Sequence, residues 1–186
     1  GKWQAKGSKG IKQIAQASLP EQGRTVIIDR PGSQQSLILA AHLAPPTGID
    51  NNIAIETMNQ TLGGAFTARV NMNLREDKGW AYGAYTFLQD ARGQRPFMVY
   101  APVQTDKTGA SLVELKKELN SYLGDKPPMP DELERARLDQ VRSLPGQYET
   151  STAVLGSLLS SSRFNRPYNY PETLVEQYNA LTLDDL

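Results

Sequence analysis

What most restricts the fold of this chain is a change of apolar period between Phe66 and Leu88. Phe66, Val70 and Leu74 recur at intervals of four, the spacing of one face of a helix. From Trp80 the interval becomes two, with Trp80, Tyr82, Ala84, Thr86 and Leu88 on one side, the repeat of a half-buried strand. Gly79 stands between the two patterns. A short helix ending near Arg75 is therefore expected to pass directly into a strand.

The rest of the chain extends this order. Arg24–Asp29 (RTVIID) and Ser36–Leu43 (SLILAAHL) read as two strands joined by the turn signal Arg30-Pro31-Gly32-Ser33. Asp50 opens a helix with Ile55, Met58 and Leu62 on one stripe, stopped by Gly63-Gly64. Asp90-Ala91-Arg92-Gly93 reads as a hairpin turn, with Phe97–Val103 returning as a strand. A helix lined by Leu112, Leu115, Leu119 and Leu123 follows. Beyond Lys126–Pro130 comes another, with Asp131 and Glu134 in its first turn, where the helix dipole favours carboxylates. Two further helices are expected over Tyr148–Leu159 and Pro171–Leu181, and Thr182 heads a capped turn. Strands among helices, then a block of helices, point to an α+β fold: a mainly antiparallel sheet with helices packed on one face. Residues 1–20, rich in Lys, Gln, Gly and Ser, read as a linker or poorly packed segment. Residues 21–186 read as a single domain, and the chain as a piece of a larger protein cut short at its C-terminus.

Composition narrows the function classes. The 20 basic and 20 acidic residues cancel, which leaves no electrostatic footprint for nucleic acid or an anionic membrane. The longest apolar run, Leu37–Ala41, is far too short to span a bilayer, and Gly1-Lys2-Trp3-Gln4 has no signal-type apolar stretch behind it. With no cysteine and one histidine, His42, thiolate zinc sites and cysteine nucleophiles are excluded. Neither H-E-x-x-H nor H-x-x-E-H occurs, so no metal site is expected; no G-x-S-x-G elbow or phosphate loop is present either. His42 reads as an ordinary strand histidine. The aromatic and basic run Arg163–Tyr170 reads as surface linking two helices.

One stretch offers chemistry. In Leu74-Arg75-Glu76-Asp77-Lys78-Gly79-Trp80-Ala81-Tyr82-Gly83, Arg75 and Tyr82 flank one helix-to-strand turn. Arg supplies a permanently charged fork of donors, and Tyr a hydroxyl that stays neutral near pH 7. Together they could hold a peptide carbonyl or the oxyanion formed from it. On pattern alone, a helix-terminal Arg and a core tyrosine explain the same residues.

Five segments in order resemble the C-terminal-type, zinc-less domain of the pitrilysin/insulinase family of zinc metallopeptidases, which includes mitochondrial processing peptidase. Asp29–Ser36 resembles the family's D-x-P-G-x-x-Q-S opening. Leu62–Arg69 resembles L-G-G-x-F-x-S-R, with Ala68 where serine is usual. Leu74–Tyr82 resembles L-R-E-x-x-G-x-x-Y; Gln104–Thr108 sits at a strand-to-helix passage and Asp131–Leu133 at a helix start.

The resemblance implies a clamshell of two halves. One half binds Zn2+ through H-x-x-E-H, and the other closes the chamber and supplies an Arg/Tyr pair with the spacing of Arg75 and Tyr82. On that basis Arg75 and Tyr82 would contact the peptide backbone near the scissile bond, Tyr82 also meeting the oxyanion. The cofactor would lie on a partner domain or subunit, the partners would be a peptide substrate and that zinc-bearing half, and the fragment alone would be inactive. A periplasmic location is implied in the same way. The alternative is a structural or assembly domain of a non-proteolytic relative.

Overall fold

The computed structural model describes residue 4, residues 6–8 and residues 10–186. The part of the expected 1–20 linker that falls on residues 1–3, 5 and 9 lies outside the described residues. Its described remainder is exposed and has no regular secondary structure.

Three strands form one antiparallel sheet in the order β1 (Gln35–Ala44), β3 (Arg95–Gln104), β2 (Tyr85–Leu88). Ile38 pairs with Ala101 and Ser36 with Val103, while Thr86 pairs with Val99. All six point to one side, where the β-sheet period of two places them together. That side meets α1 (Asn52–Asn59), the short α2 (Arg69–Asn71) and α3 (Thr108–Leu123). Val70, Leu74, Ala84, Ala101, Val103 and Leu115 form the buried centre of this layer. A second cluster joins Ile53 of α1 to Leu144, Leu174 and Tyr178. It includes residues from α6 (Tyr170–Ala180) and the end of α4 (Pro130–Ser143); α5 (Ser151–Arg163) lies beside them.

Local chemistry sets the element ends. Pro130 occupies the first turn of α4, where its missing N–H costs nothing. The Glu132 carboxylate turns back to accept the Met129 N–H at 2.8 Å. Thr150 caps α5 by accepting the Ala153 N–H at 3.1 Å. Thr182 and Asp185 form the expected capped turn, here a short 3-10 segment.

Three expectations are corrected. Arg24–Asp29 is not a strand: it is exposed and unpaired in the sheet. The turn before β1 explains this. Ser33 donates its N–H to the Arg30 carbonyl at 3.2 Å, Pro31 stands second and Gly32 third at φ +82°, which is a type II turn. Its twist splays the flanking strands instead of pairing them.

Phe66 is not helical. The helix starts at Arg69, and Phe66 lies in the preceding turn. The Asn71 side chain, fully buried, donates to the Phe66 carbonyl at 2.7 Å and holds that turn closed.

The Trp80–Leu88 segment does not keep one face throughout. Ala81 bridges Val103 and Tyr85 pairs with Tyr100, so this side takes one step more than its partner. That extra step is a bulge, and it reverses the facing of side chains before it. Ala81 and Ala84 both pack inward, and Tyr82 is thrown out.

Candidate functional site

The glycine pair ahead of the site has a packing role. Residues Gln60–Gly64 continue α1 as a π-wound turn. A Cβ on Gly63 would lie 2.5 to 2.8 Å from Thr86 side-chain and backbone atoms, so only glycine lets this turn press against β2. Thr86 also donates from Oγ1 to Asn59 Oδ1 at 2.8 Å. This contact fixes the turn that leads to Phe66 against the strand that follows Tyr82.

Arg75 sits in a second π-wound turn, Met72–Asp77. Gly79, at φ +64°, ends it, and the Leu74 carbonyl then accepts from both Trp80 N–H (2.9 Å) and Ala81 N–H (3.3 Å). Gln104 clamps the far side, donating its N–H to the Trp80 carbonyl at 2.9 Å and its side-chain amide to the Gly79 carbonyl at 3.1 Å. The loop between Arg75 and Tyr82 is thus tied to the sheet along its length. Single wide turns of this kind are frequent at functional sites.

The two sequence-predicted residues are brought together. The Arg75 guanidinium carbon lies 5.3 Å from the centroid of the Tyr82 ring and 4.4 Å from that of Phe66. Both are cation–π distances. Tyr82 is 84% exposed, Phe66 54%, and the Arg75 side chain 29%. Glu76 approaches Arg75 Nε at 3.3 Å. The guanidinium lies near two exposed rings on a side chain that is partly open to solvent, and the well-exposed Tyr82 can present its hydroxyl to a partner. Such a pair can donate hydrogen bonds to a carbonyl oxygen, or to negative charge growing on one.

Phe66 is the member the sequence reading overlooked as a site residue. Its place in the glycine-rich segment at Leu62–Arg69 was visible, but its pairing with Arg75 depends on the Asn71 bridge. Asn71 accepts the Ala84 N–H at 3.1 Å on its Oδ1 while its amide holds Phe66. One buried side chain thereby ties the Phe66 turn to the backbone two residues after Tyr82.

His42 is an exposed strand residue whose Nδ1 lies 2.8 Å from the Leu43 carbonyl. Among the described residues no group of three or more His, Cys, Asp or Glu side chains could hold a metal, so the residues present do not fit a zinc centre. Among the same residues, no helix is long and apolar enough to cross a membrane.

A family model described as the peptidase M16 inactive domain matches residues 1–138. The chain belongs to that family. The motif resemblance and the model match agree on the inactive domain of an M16 peptidase. An M16 inactive domain of known structure from Pseudomonas fluorescens is 26% identical, with a TM-score of 0.73 over 82% of this chain and 36% of that one. This chain therefore spans about a third of that protein's length. The inactive peptidase domain of a candidate zinc protease from Bordetella parapertussis is 21% identical, covers 86% of each chain and has a TM-score of 0.69. The periplasmic protease PqqL from Escherichia coli shares the fold at 14% identity and a TM-score of 0.67, over 83% of this chain and 17% of that one. No curated protein matches the chain. The M16 inactive domain is thus an α+β, non-catalytic type of peptidase domain, and its sheet and helices are those of its structural neighbours.

Proposed function

We propose that this M16 inactive domain is the substrate-contacting, chamber-closing part of a zinc metalloendopeptidase acting on peptides or unfolded polypeptides. Zinc and the general base belong to a partner half, on the same chain or a separate subunit. The reading is carried by one observation: Arg75 and Tyr82, seven positions apart in sequence, meet at 5.3 Å from guanidinium carbon to ring centroid, with the Tyr82 ring exposed and Arg75 partly so. A buried pair would have served packing alone.

Hydrolysis needs negative charge to grow on the carbonyl oxygen. A metal can polarise that oxygen and supply the attacking water. What this chain adds is a fixed set of donors: the Arg75 guanidinium to orient the peptide backbone and the Tyr82 hydroxyl to meet the oxyanion. Donors already in place cost no reorganisation as the charge forms, and losing one typically lowers turnover by ~10² to 10³. A periplasmic location belongs to the same proposal. It draws on the motif resemblance, and fractionation of the native host would test it.

The decisive experiment assays the parent protein, or this domain together with its zinc-bearing half, on an unfolded peptide. Arg75→Ala and Tyr82→Phe are each expected to reduce turnover roughly tenfold or more, with bound zinc unchanged. Wild-type rates in both variants would remove the pair from the mechanism and favour an assembly role.

A further inference from the structure

A concave site elsewhere shares no residue with the Arg75–Tyr82 cluster. It is a cleft of about 370 Å³ between α1, α4, α5 and α6, within the range of small-molecule sites, roughly 300 to 1,000 Å³. The sequence of α5 creates the room. Its inward residues are small, with Ala153, Gly156, Ser157 and Ser160 lining the cleft, while Leu155 and Leu159 face solvent. Opposite stand the rings of Tyr148, Tyr170 and Tyr178.

Two ions of opposite sign line this cleft on separate tethers. On α1, the Glu56 carboxylate accepts the Asn52 amide at 2.8 Å, with Arg95 Nη1 further off at 3.9 Å. Burial, with Asp90 adding to it, holds the Glu56 carboxyl above its ordinary range despite Asn52, Arg95 and Arg166. Loss of hydration thus outweighs the help these partners give to the charged form. Arg166 stands on the segment between α5 and α6. It donates to the Thr47 carbonyl at 3.0 Å and lies 4.3 Å from the Tyr170 ring centroid.

A ligand of a single charge would satisfy one of these groups and be repelled by the other. We propose that the cleft binds a small zwitterion of dipeptide size, its ammonium on Glu56, its carboxylate on Arg166 and its apolar side chain against the tyrosines. The volume accommodates such a molecule, and the two ions are held by different partners, Glu56 by Asn52 and Arg166 by the Thr47 carbonyl. Charge-assisted hydrogen bonds at both ends would set its orientation, and the rings would supply apolar contact. This reading stands independently of the Arg75–Tyr82 proposal.

Calorimetric titration of the whole protein with alanyl-phenylalanine, and with its N-acetylated and C-amidated forms, tests it. Saturable binding of the free dipeptide is expected, with each blocked form roughly tenfold weaker, the size of a lost hydrogen bond to a charged group. Glu56→Gln should weaken the free dipeptide to the same degree without weakening the acetylated form further. Arg166→Gln should do the same with respect to the amidated form. Absence of saturation at millimolar dipeptide, or equal affinity of free and blocked forms, would overturn the proposal. Should either variant lose its circular dichroism signature, the comparison of ligands on the unaltered protein still decides.

Discussion

Asn71 shows how much one side chain can organise. It is fully buried, donates to the Phe66 carbonyl and accepts the Ala84 N–H. Both partners are backbone groups of segments with no ladder of their own at that point. Replacing it with alanine strands the buried Ala84 N–H and removes the partner of the Phe66 carbonyl, and an unmet buried group costs about 1–3 kcal/mol. Asn71→Ala is expected to lower unfolding free energy by about 2–4 kcal/mol in urea at pH 7. The ring of Phe66 should also leave its place over Arg75, so turnover in the assembled enzyme should drop beyond what residual unfolding explains. A stable Asn71→Ala protein with full activity would show that the bridge supports neither.

At the scale of elements, what could be read from sequence and what could not divides along local and non-local causes. Apolar periods, short apolar runs and turn signals together located the helices and all three strands of the sheet, because burial of one face and the turns between elements leave local marks on the chain. They did not reveal the bulge between Ala81 and Tyr85. A bulge is defined by what the partner strand does, and β3 lies beyond a hairpin. Arg24–Asp29 has the composition of a strand, yet the type II turn at Pro31-Gly32 directs it away from β1; turn handedness outweighed β-branching. Arg75 and Tyr82 were found by their spacing. Phe66 was missed as their partner because its link runs through a side chain of a different element. The glycine pair could be recognised as a helix stop, but not as a contact. A Cβ on Gly63 would sit 2.5 Å from Thr86 Oγ1 and 2.8 Å from its backbone nitrogen, and backbone cannot give way as a side chain can. Gly63→Ala is therefore expected to cost about 1–3 kcal/mol by overpacking. The loss should appear as a lowered melting temperature and be larger than that of Gly146→Ala, where nothing lies within 4 Å.

Across the whole molecule, a charged clamp joins helices packed on the sheet to α4 of the helical layer. Arg69, at the start of α2, donates from Nε and Nη2 to the two Glu132 carboxylate oxygens at 2.6 and 2.5 Å. It also reaches the carbonyls of Lys126 and Pro127, and its guanidinium carbon lies 4.9 Å from the Tyr122 ring centroid. A single guanidinium thus ties α2, the end of α3, the proline-rich connection and α4 into one unit, in the paired geometry that suits Arg and not Lys. Burial works to raise the Glu132 carboxyl, but the Arg69 hydrogen bonds, the Met129 N–H and the charges of Arg69 and Arg135 outweigh it and hold it below its ordinary 4.5. A carboxylate whose folded value is depressed contributes stability that is fully present above its unfolded value and disappears as pH falls through the folded one. The difference in unfolding free energy between the wild-type protein and Glu132→Gln should therefore be constant at neutral pH. It should shrink as pH drops below 4.5 and vanish once Glu132 is protonated in both states. Parallel stability curves down to the lowest pH at which both proteins fold would mean that Arg69 gains nothing from the charge of Glu132, and that the two layers are held by packing alone.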